Sequence, residues 1–159
     1  MNAAALLDAA KAKGIMIATA ESCTGGMVSA AITDIAGSSA VFDRGFVTYT
    51  NDAKMAQLGV RAATLAAHGA VSEQVAAEMA KGAIDHSEAS LAVSITGIAG
   101  PGGSDHKPEG RVCFGIATPD FYQTEKVEFG ALGRAKVRQA ATDHALTLLI
   151  NALKQAKGG

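Results

Sequence analysis

The chain has 159 residues, 48% of them hydrophobic and 18% charged, with a formal net charge of -1. That length suits one domain with a core of its own, since a chain of about 150 residues buries roughly 70% of the surface it exposes when unfolded. The near-neutral charge, the 4% aromatic content and the absence of Trp argue against nucleic acid as the partner, and no apolar run approaches the ~18 residues needed to cross a bilayer.

The N-terminal stretch MNAAALLDAAKAKG has neither a basic leader nor a long apolar segment. It reads as an amphipathic helix ended by Gly14 rather than a secretion signal, and a cytoplasmic location is expected. IMIATA follows as a short apolar run between turn residues, the pattern of a strand covered on both faces. GGMVSAAITDIAG has helical spacing at Met27, Ala30, Ala31 and Ile35 and stops at Gly37. RGFVTYT predicts a second strand. Asn51 is placed to cap a short helix, DAKMAQL, and Ser72 a longer one, EQVAAEMAKGAI. LAVSIT is a third strand, running directly into the loop GIAGPGGSDHKPEG. RVCFGIA and YQTEKVEF predict two neighbouring antiparallel strands, and RAKVRQAATDHALTLLINAL closes the chain as a long helix with Val137, Ala141, Ala145, Leu148 and Leu149 inward. No repeat, low-complexity tail or charge block divides residues 1–159, so a single domain is expected. The alternation of strands and helices predicts a three-layer α/β/α fold with a mixed sheet.

Open α/β sheets bind ligands outside the C-terminal ends of their strands. Three segments meet that condition: ESCTGG, YTNDAK and TGIAGPGG. The first and third are glycine-bearing loops whose N–H groups can face an anion or a developing oxyanion, and the first leads into a helix N-terminus. TGIAGPGG has neither the GK[ST] ending of a P-loop nor a G-x-G-x-x-G fingerprint. Ser22 and Cys23 stand side by side in ESCTGG as alternative nucleophiles; the plainer role is a turn or helix cap for Ser22 and a buried small residue packing behind the loop for Cys23. Cys23 and Cys113 are too few for a disulfide framework and lack the paired spacing of a zinc site, so neither a metal nor a cofactor is expected.

Four separated motifs, TAESCTGG, YTNDAK with LGV after it, AHGAVSEQVAAEMAKGA, and SITGIAGPGG followed by KPEG, closely resemble the CinA C-terminal family of nicotinamide-nucleotide amidohydrolases, in the same order and at similar spacing. The resemblance covers most of the chain. It implies hydrolysis of the carboxamide of nicotinamide mononucleotide to nicotinic acid mononucleotide and ammonia. Many members carry a larger domain ahead of this one, so the chain reads as the stand-alone form. The resemblance also assigns Ser22 as the nucleophile and matches Thr96 to the family's Thr, a group to relay a proton or orient Ser22. Tyr49 and Asn51 match its Y-x-N pattern and would hold the carboxamide or ribose. Glu21, Thr24, Gly97, Gly100, Gly102 and Gly103 belong to the same substrate-binding motifs, while Gly25 and Gly26 leave room for donors to the oxyanion. Glu21 has an equally good structural role, holding its loop by accepting backbone hydrogen bonds.

A serine hydroxyl needs a base to attack an amide. His68, His86, His106 and His144 fall outside the strand-end motifs, whereas Lys54 lies one helical turn beyond Asn51, so the two side chains can face one crevice. At a reference pKa near 10.4 only about one lysine in 2,500 is neutral at pH 7, so burial must lower that value to about 7 or 8, a change of roughly 3 to 5 kcal/mol. Arg134 and Arg138 are candidates for the 5′-phosphate, helped by N–H groups of the loop from Gly100 to Gly103. Two departures from the family touch this region: KPEGRV places Glu109 where an apolar or small residue is usual and Arg111 where a small polar one is, and LGRAKVR has Gly133 in place of an acidic residue. The competing functions are a non-catalytic nucleotide-binding or interaction module of the same fold and a hydrolase of another amide. A small-molecule nucleotide is the expected partner, and an alanine-rich domain with few surface charges makes a homo-oligomer the expected assembly.

Overall fold

Apolar runs without alternation become the central strands. The sheet comprises β1 (Ile17–Glu21), β2 (Phe42–Val47), β3 (Leu91–Gly97), β4 (Arg111–Ala117) and β5 (Tyr122–Glu128), and in β1, β3 and β4 nearly every residue is buried. In this computed structural model, which describes residues 3–104 and 106–155, the strand order is β2-β1-β3-β4-β5. β1 pairs in parallel with β2 and β3, while β4 pairs antiparallel with β3 and β5. The sheet is therefore mixed, as expected, with its less buried strands at the edges.

Among the described residues six α-helices cover it: α1 (Ala3–Lys13), α2 (Met27–Thr33), α3 (Asn51–Leu58), α4 (Ala62–His68), α5 (Glu73–Asp85) and α6 (Arg134–Gln155). α1, α2 and α6 pack on one face over a core that includes Leu6, Ile32, Phe114 and Leu149. On the other face α5 lies across the sheet with α3 and α4 against it, over Ala18, Ala20, Val75 and Met79. The two cores make the three layers. α5 approaches α3 closely at Gly82, where an added Cβ would lie 2.0 Å from the Leu58 carbonyl oxygen. No helix among the described residues is long and apolar enough to cross a membrane.

The chain leaves β1 through α2 on one face to reach β2, then returns through α3, α4 and α5 on the other face to β3. The loops after β1 and β2 consequently lead to opposite faces, which opens a crevice at the strand ends. Ser22 N–H still donates to Ile95 O at 2.9 Å, carrying the β1–β3 pairing one residue past the strand.

Several local expectations shift. α2 turns Val28 and Ile32 into the core and Ala30 toward solvent, so its inner stripe is not the one centred on Met27 and Ala30, and it ends at Thr33 before a 3₁₀ turn at Ser38–Ala40. The cap of α3 is Thr50, whose Oγ1 accepts from Ala53 N–H at 3.1 Å; Asn51 is the first residue of the helix. β2 starts two residues earlier than RGFVTYT. α4 has no counterpart among the predicted elements. Along α6, Val137, Ala141, Ala145 and Leu149 are buried as read, Leu148 is only partly so, and Leu146 and Leu153 join the core.

Candidate active site

The loop after β1 is built around a carboxylate. Glu21 is fully buried and accepts five hydrogen bonds: Oε1 from Thr24 Oγ1 (2.6 Å), Gly26 N–H (3.1 Å) and Val28 N–H (3.0 Å), and Oε2 from Ser29 N–H (2.9 Å) and Ser29 Oγ (2.8 Å). It caps α2, whose own N-cap is Gly26, and its charge suits the positive end of the helix. These five bonds also fix where α2 begins and how it is rotated, which accounts for the shifted inner stripe. Gly25 and Gly26 have φ of 58° and 108°, a left-handed turn that a side chain would strain. From the other side Arg138 grips the loop, its Nε donating to Cys23 O at 3.0 Å and its Nη2 to Thr24 O at 3.2 Å.

Lys54 arrives from α3. Its side chain is 1% exposed, the largest fully buried one in the molecule among the described residues, and its Nζ donates to Ser22 Oγ at 3.0 Å. Thr48 O at 3.0 Å and Tyr49 O at 3.4 Å accept from the same nitrogen. Loss of hydration on burial lowers the Lys54 pKa from the ordinary 10.5 to about 8. About one molecule in ten then carries a neutral Lys54 at pH 7. A neutral amine has two N–H donors and one lone pair, so the two carbonyls take the donors and the lone pair is left facing the Ser22 hydroxyl. Protonated, the nitrogen has three donors for the same three oxygens. Both protonation states fit one geometry, as a group that takes a proton and returns it requires.

Burial acts in the opposite sense on the adjacent Cys23. It pushes the thiol up to about 12, so the thiolate is scarce at neutral pH. Cys113 is likewise buried and raised to about 11.

Ser22 and Lys54 lie on the wall of an open cavity of about 400 Å³, within the range of small-ligand sites. Tyr49, Asn51, Gly97, Gly100, Gly102, Gly103 and Arg134 also line it, and Thr96 stands there with its hydroxyl donating to Ala70 O at 2.9 Å. Arg134 is an exposed rim residue that donates to Gly100 O and to Tyr49 Oη, both at 2.7 Å, linking α6 to the loops after β2 and β3. No histidine lines the cavity among the described residues, and no cluster of three or more His, Cys, Asp or Glu there is placed to hold a metal ion. His144 is engaged elsewhere, with Glu125 and against Phe114.

Residues 2–153 match the CinA C-terminal domain family. The chain belongs to that family. The nicotinamide-nucleotide amidohydrolase PncC of Escherichia coli K12 is 56% identical over 143 residues, covering 89% of this chain and 87% of that protein. A CinA-like protein of Chloroherpeton thalassium is 59% identical over 109 residues, which are 68% of this chain and 26% of that protein. Among solved structures, the competence/damage inducible protein CihA from Agrobacterium tumefaciens superposes with a TM-score of 0.92 at 49% identity, covering 96% of this chain and 93% of that one.

Against the site expected from the family motifs, the structure divides the residues in two. Those of the β2 and β3 loops, with Arg134, face the cavity. Glu21, Thr24, Gly25, Gly26 and Arg138 lie behind the nucleophile loop instead and are spent on its shape. Gly25 N–H donates to Ser22 O and Gly26 N–H to Glu21, so neither glycine offers its own N–H to a ligand. Thr96 meets Ala70 rather than Ser22. Arg111 pairs with Glu128 on the facing strand, Nη2 to Oε2 at 2.8 Å, away from the cavity. Two contributors had no assigned role in the sequence. Lys107, in the KPEG motif, donates to His68 O and Val71 O and lines the cavity, and the carbonyls of Thr48 and Tyr49 hold Lys54. Backbone acceptors of that kind carry no side-chain signature.

Proposed function

We propose that this chain hydrolyses the carboxamide of nicotinamide mononucleotide to nicotinic acid mononucleotide and ammonia, with Ser22 as nucleophile and Lys54 as its base. The observation that carries the reading is the buried Lys54 nitrogen 3.0 Å from Ser22 Oγ on the wall of an open cavity. The name of the Escherichia coli relative supplies the substrate class. A pure binding module gains nothing from a lysine whose burial costs about 3 kcal/mol against its ordinary pKa.

Neutral Lys54 takes the Ser22 proton as Oγ adds to the carboxamide carbon. The oxyanion turns toward the N–H of Cys23, a residue lining the cavity beside Ser22. Protonated Lys54 returns the proton to the departing nitrogen, which leaves as ammonia with an ester on Ser22. Water, giving a proton to Lys54, cleaves that ester and restores the hydroxyl. Arg134 receives the 5′-phosphate at the rim, exchanging its contacts to Tyr49 and Gly100 for charge-assisted bonds that position the amide.

Ammonia release from nicotinamide mononucleotide, nicotinamide riboside and simple amides tests this reading. The mononucleotide is the preferred substrate, and Arg134→Ala narrows its advantage over the riboside by about 10- to 100-fold, the scale of hydrogen bonds to a charged group. Equal efficiency on riboside and mononucleotide removes the phosphate contact. No ammonia from any of them leaves the chain a binding module, and release from another amide alone reassigns the substrate.

A further inference from the structure

The carboxylate of Glu109 bridges two parts of the rim. Its Oε1 accepts from Gly102 N–H at 2.7 Å and its Oε2 from Gly133 N–H at 3.1 Å. Glu109 itself does not line the cavity. It packs behind the glycine loop, so closely that a Cβ at Gly100 would lie 2.5 Å from its Cδ. Gly133 immediately precedes α6, whose first residue, Arg134, donates back to Gly100 O at 2.7 Å. The contacts close a ring from Glu109 to Gly102, along the loop to Gly100, across to Arg134, and through Gly133 back to Glu109. The two departures noted in the sequence, an acidic residue at 109 and a glycine at 133, thus meet in one hydrogen bond.

We propose that Glu109 is a positioning residue for nucleotide binding: it ties the glycine loop to the start of α6 and so sets where the Arg134 guanidinium stands at the rim. The proposal rests on the function assigned above. Three features support it. The carboxylate occupies the Gly102 N–H, so that amide is a structural tie, and Lys107 is engaged by His68 O and Val71 O, whereas the Arg134 guanidinium stands exposed at the rim to meet a phosphate. Both tied residues are glycines with positive φ, 79° at Gly102 and 95° at Gly133, which have no side chain to hold them in place. Charge-assisted bonds to two amides on separate segments convert two mobile ends into one surface. Ser22 and Lys54 are held by other contacts, from Ile95, Thr48 and Tyr49, so loss of the tie leaves the reacting groups where they are.

The test uses the whole chain with Glu109→Ala and Glu109→Gln. Amide hydrogen exchange at Gly102 and Gly133 is followed by NMR without substrate, and kcat and KM are measured on the mononucleotide and the riboside. In Glu109→Ala, exchange at both glycines quickens by about 10-fold or more, and KM for the mononucleotide rises by about 10-fold, the order expected for lost charged hydrogen bonds. kcat stays within about twofold, and kcat/KM for the riboside does not change. Glu109→Gln keeps one acceptor, so it protects one glycine and raises KM less. Unchanged exchange, an unchanged KM, or an equal fall in kcat on both substrates overturns the positioning role. A wild-type chain inert toward the mononucleotide defeats the proposed function alone. Calorimetric titration of the mononucleotide then decides the tie: weaker binding to Glu109→Ala supports it and equal binding overturns it.

Discussion

Replacing Ser22 by Ala lowers turnover of nicotinamide mononucleotide by about 10³-fold or more, the scale of losing a serine nucleophile that works with a base, while Cys23→Ala retains most of it. The two side chains are neighbours in sequence, but their surroundings separate them. The Ser22 hydroxyl meets the buried Lys54 amine on the cavity wall, whereas burial holds the Cys23 thiol protonated, with a pKa of about 12. Cys23 contributes through its backbone, its carbonyl held by Arg138 and its N–H facing the oxyanion in the proposed reaction. A folded Cys23→Ala chain without activity, beside a Ser22→Ala chain of nearly normal rate, reverses the assignment.

Lys54→Arg is nearly inactive at every pH up to about 10, because a guanidinium keeps its proton throughout that range and cannot accept another from serine. For the unmodified chain the sign follows from the direction of the shift. Burial favours the neutral amine, which is the reactive form, so kcat/KM rises with pH through about 8 and levels above it. An ordinary lysine would delay that rise to about 10.5. Rate profiles of kcat/KM between about pH 6 and 10 check both statements. Wild-type activity in Lys54→Arg removes the neutral-base role, and a flat profile through pH 8 removes the titrating lysine.

What was legible in the sequence depended on whether a feature was local. Strands buried on both faces declare themselves as unbroken apolar runs, so IMIATA, LAVSIT and RVCFGIA gave their positions to within about two residues. Ser72 capping α5 was equally plain, since the cap and its helix adjoin. α2 misled because its rotation is fixed by Glu21, a carboxylate on the preceding strand, and not by its own spacing. The sheet order depends on crossovers that a one-dimensional pattern does not encode. At the site, the sequence pointed to Ser22, Lys54, Tyr49 and Arg134, which the fold brings to one cavity, but it could not separate residues facing a ligand from those holding the loop that faces it. Arg138 shows why: one helical turn from Arg134, it points behind the nucleophile loop while Arg134 stands at the rim.

The most direct measurement of the Ser22–Lys54 account is the mass of the covalent species formed in turnover. The unmodified chain is mixed with nicotinamide mononucleotide, quenched in acid within the first turnovers, digested, and its peptides are weighed. The account predicts a peptide containing Ser22 that is heavier by the mononucleotide less ammonia, placed on the serine oxygen by fragmentation, and absent from Ser22→Ala. The same mass gain on Cys23, or on any peptide without Ser22, would contradict it.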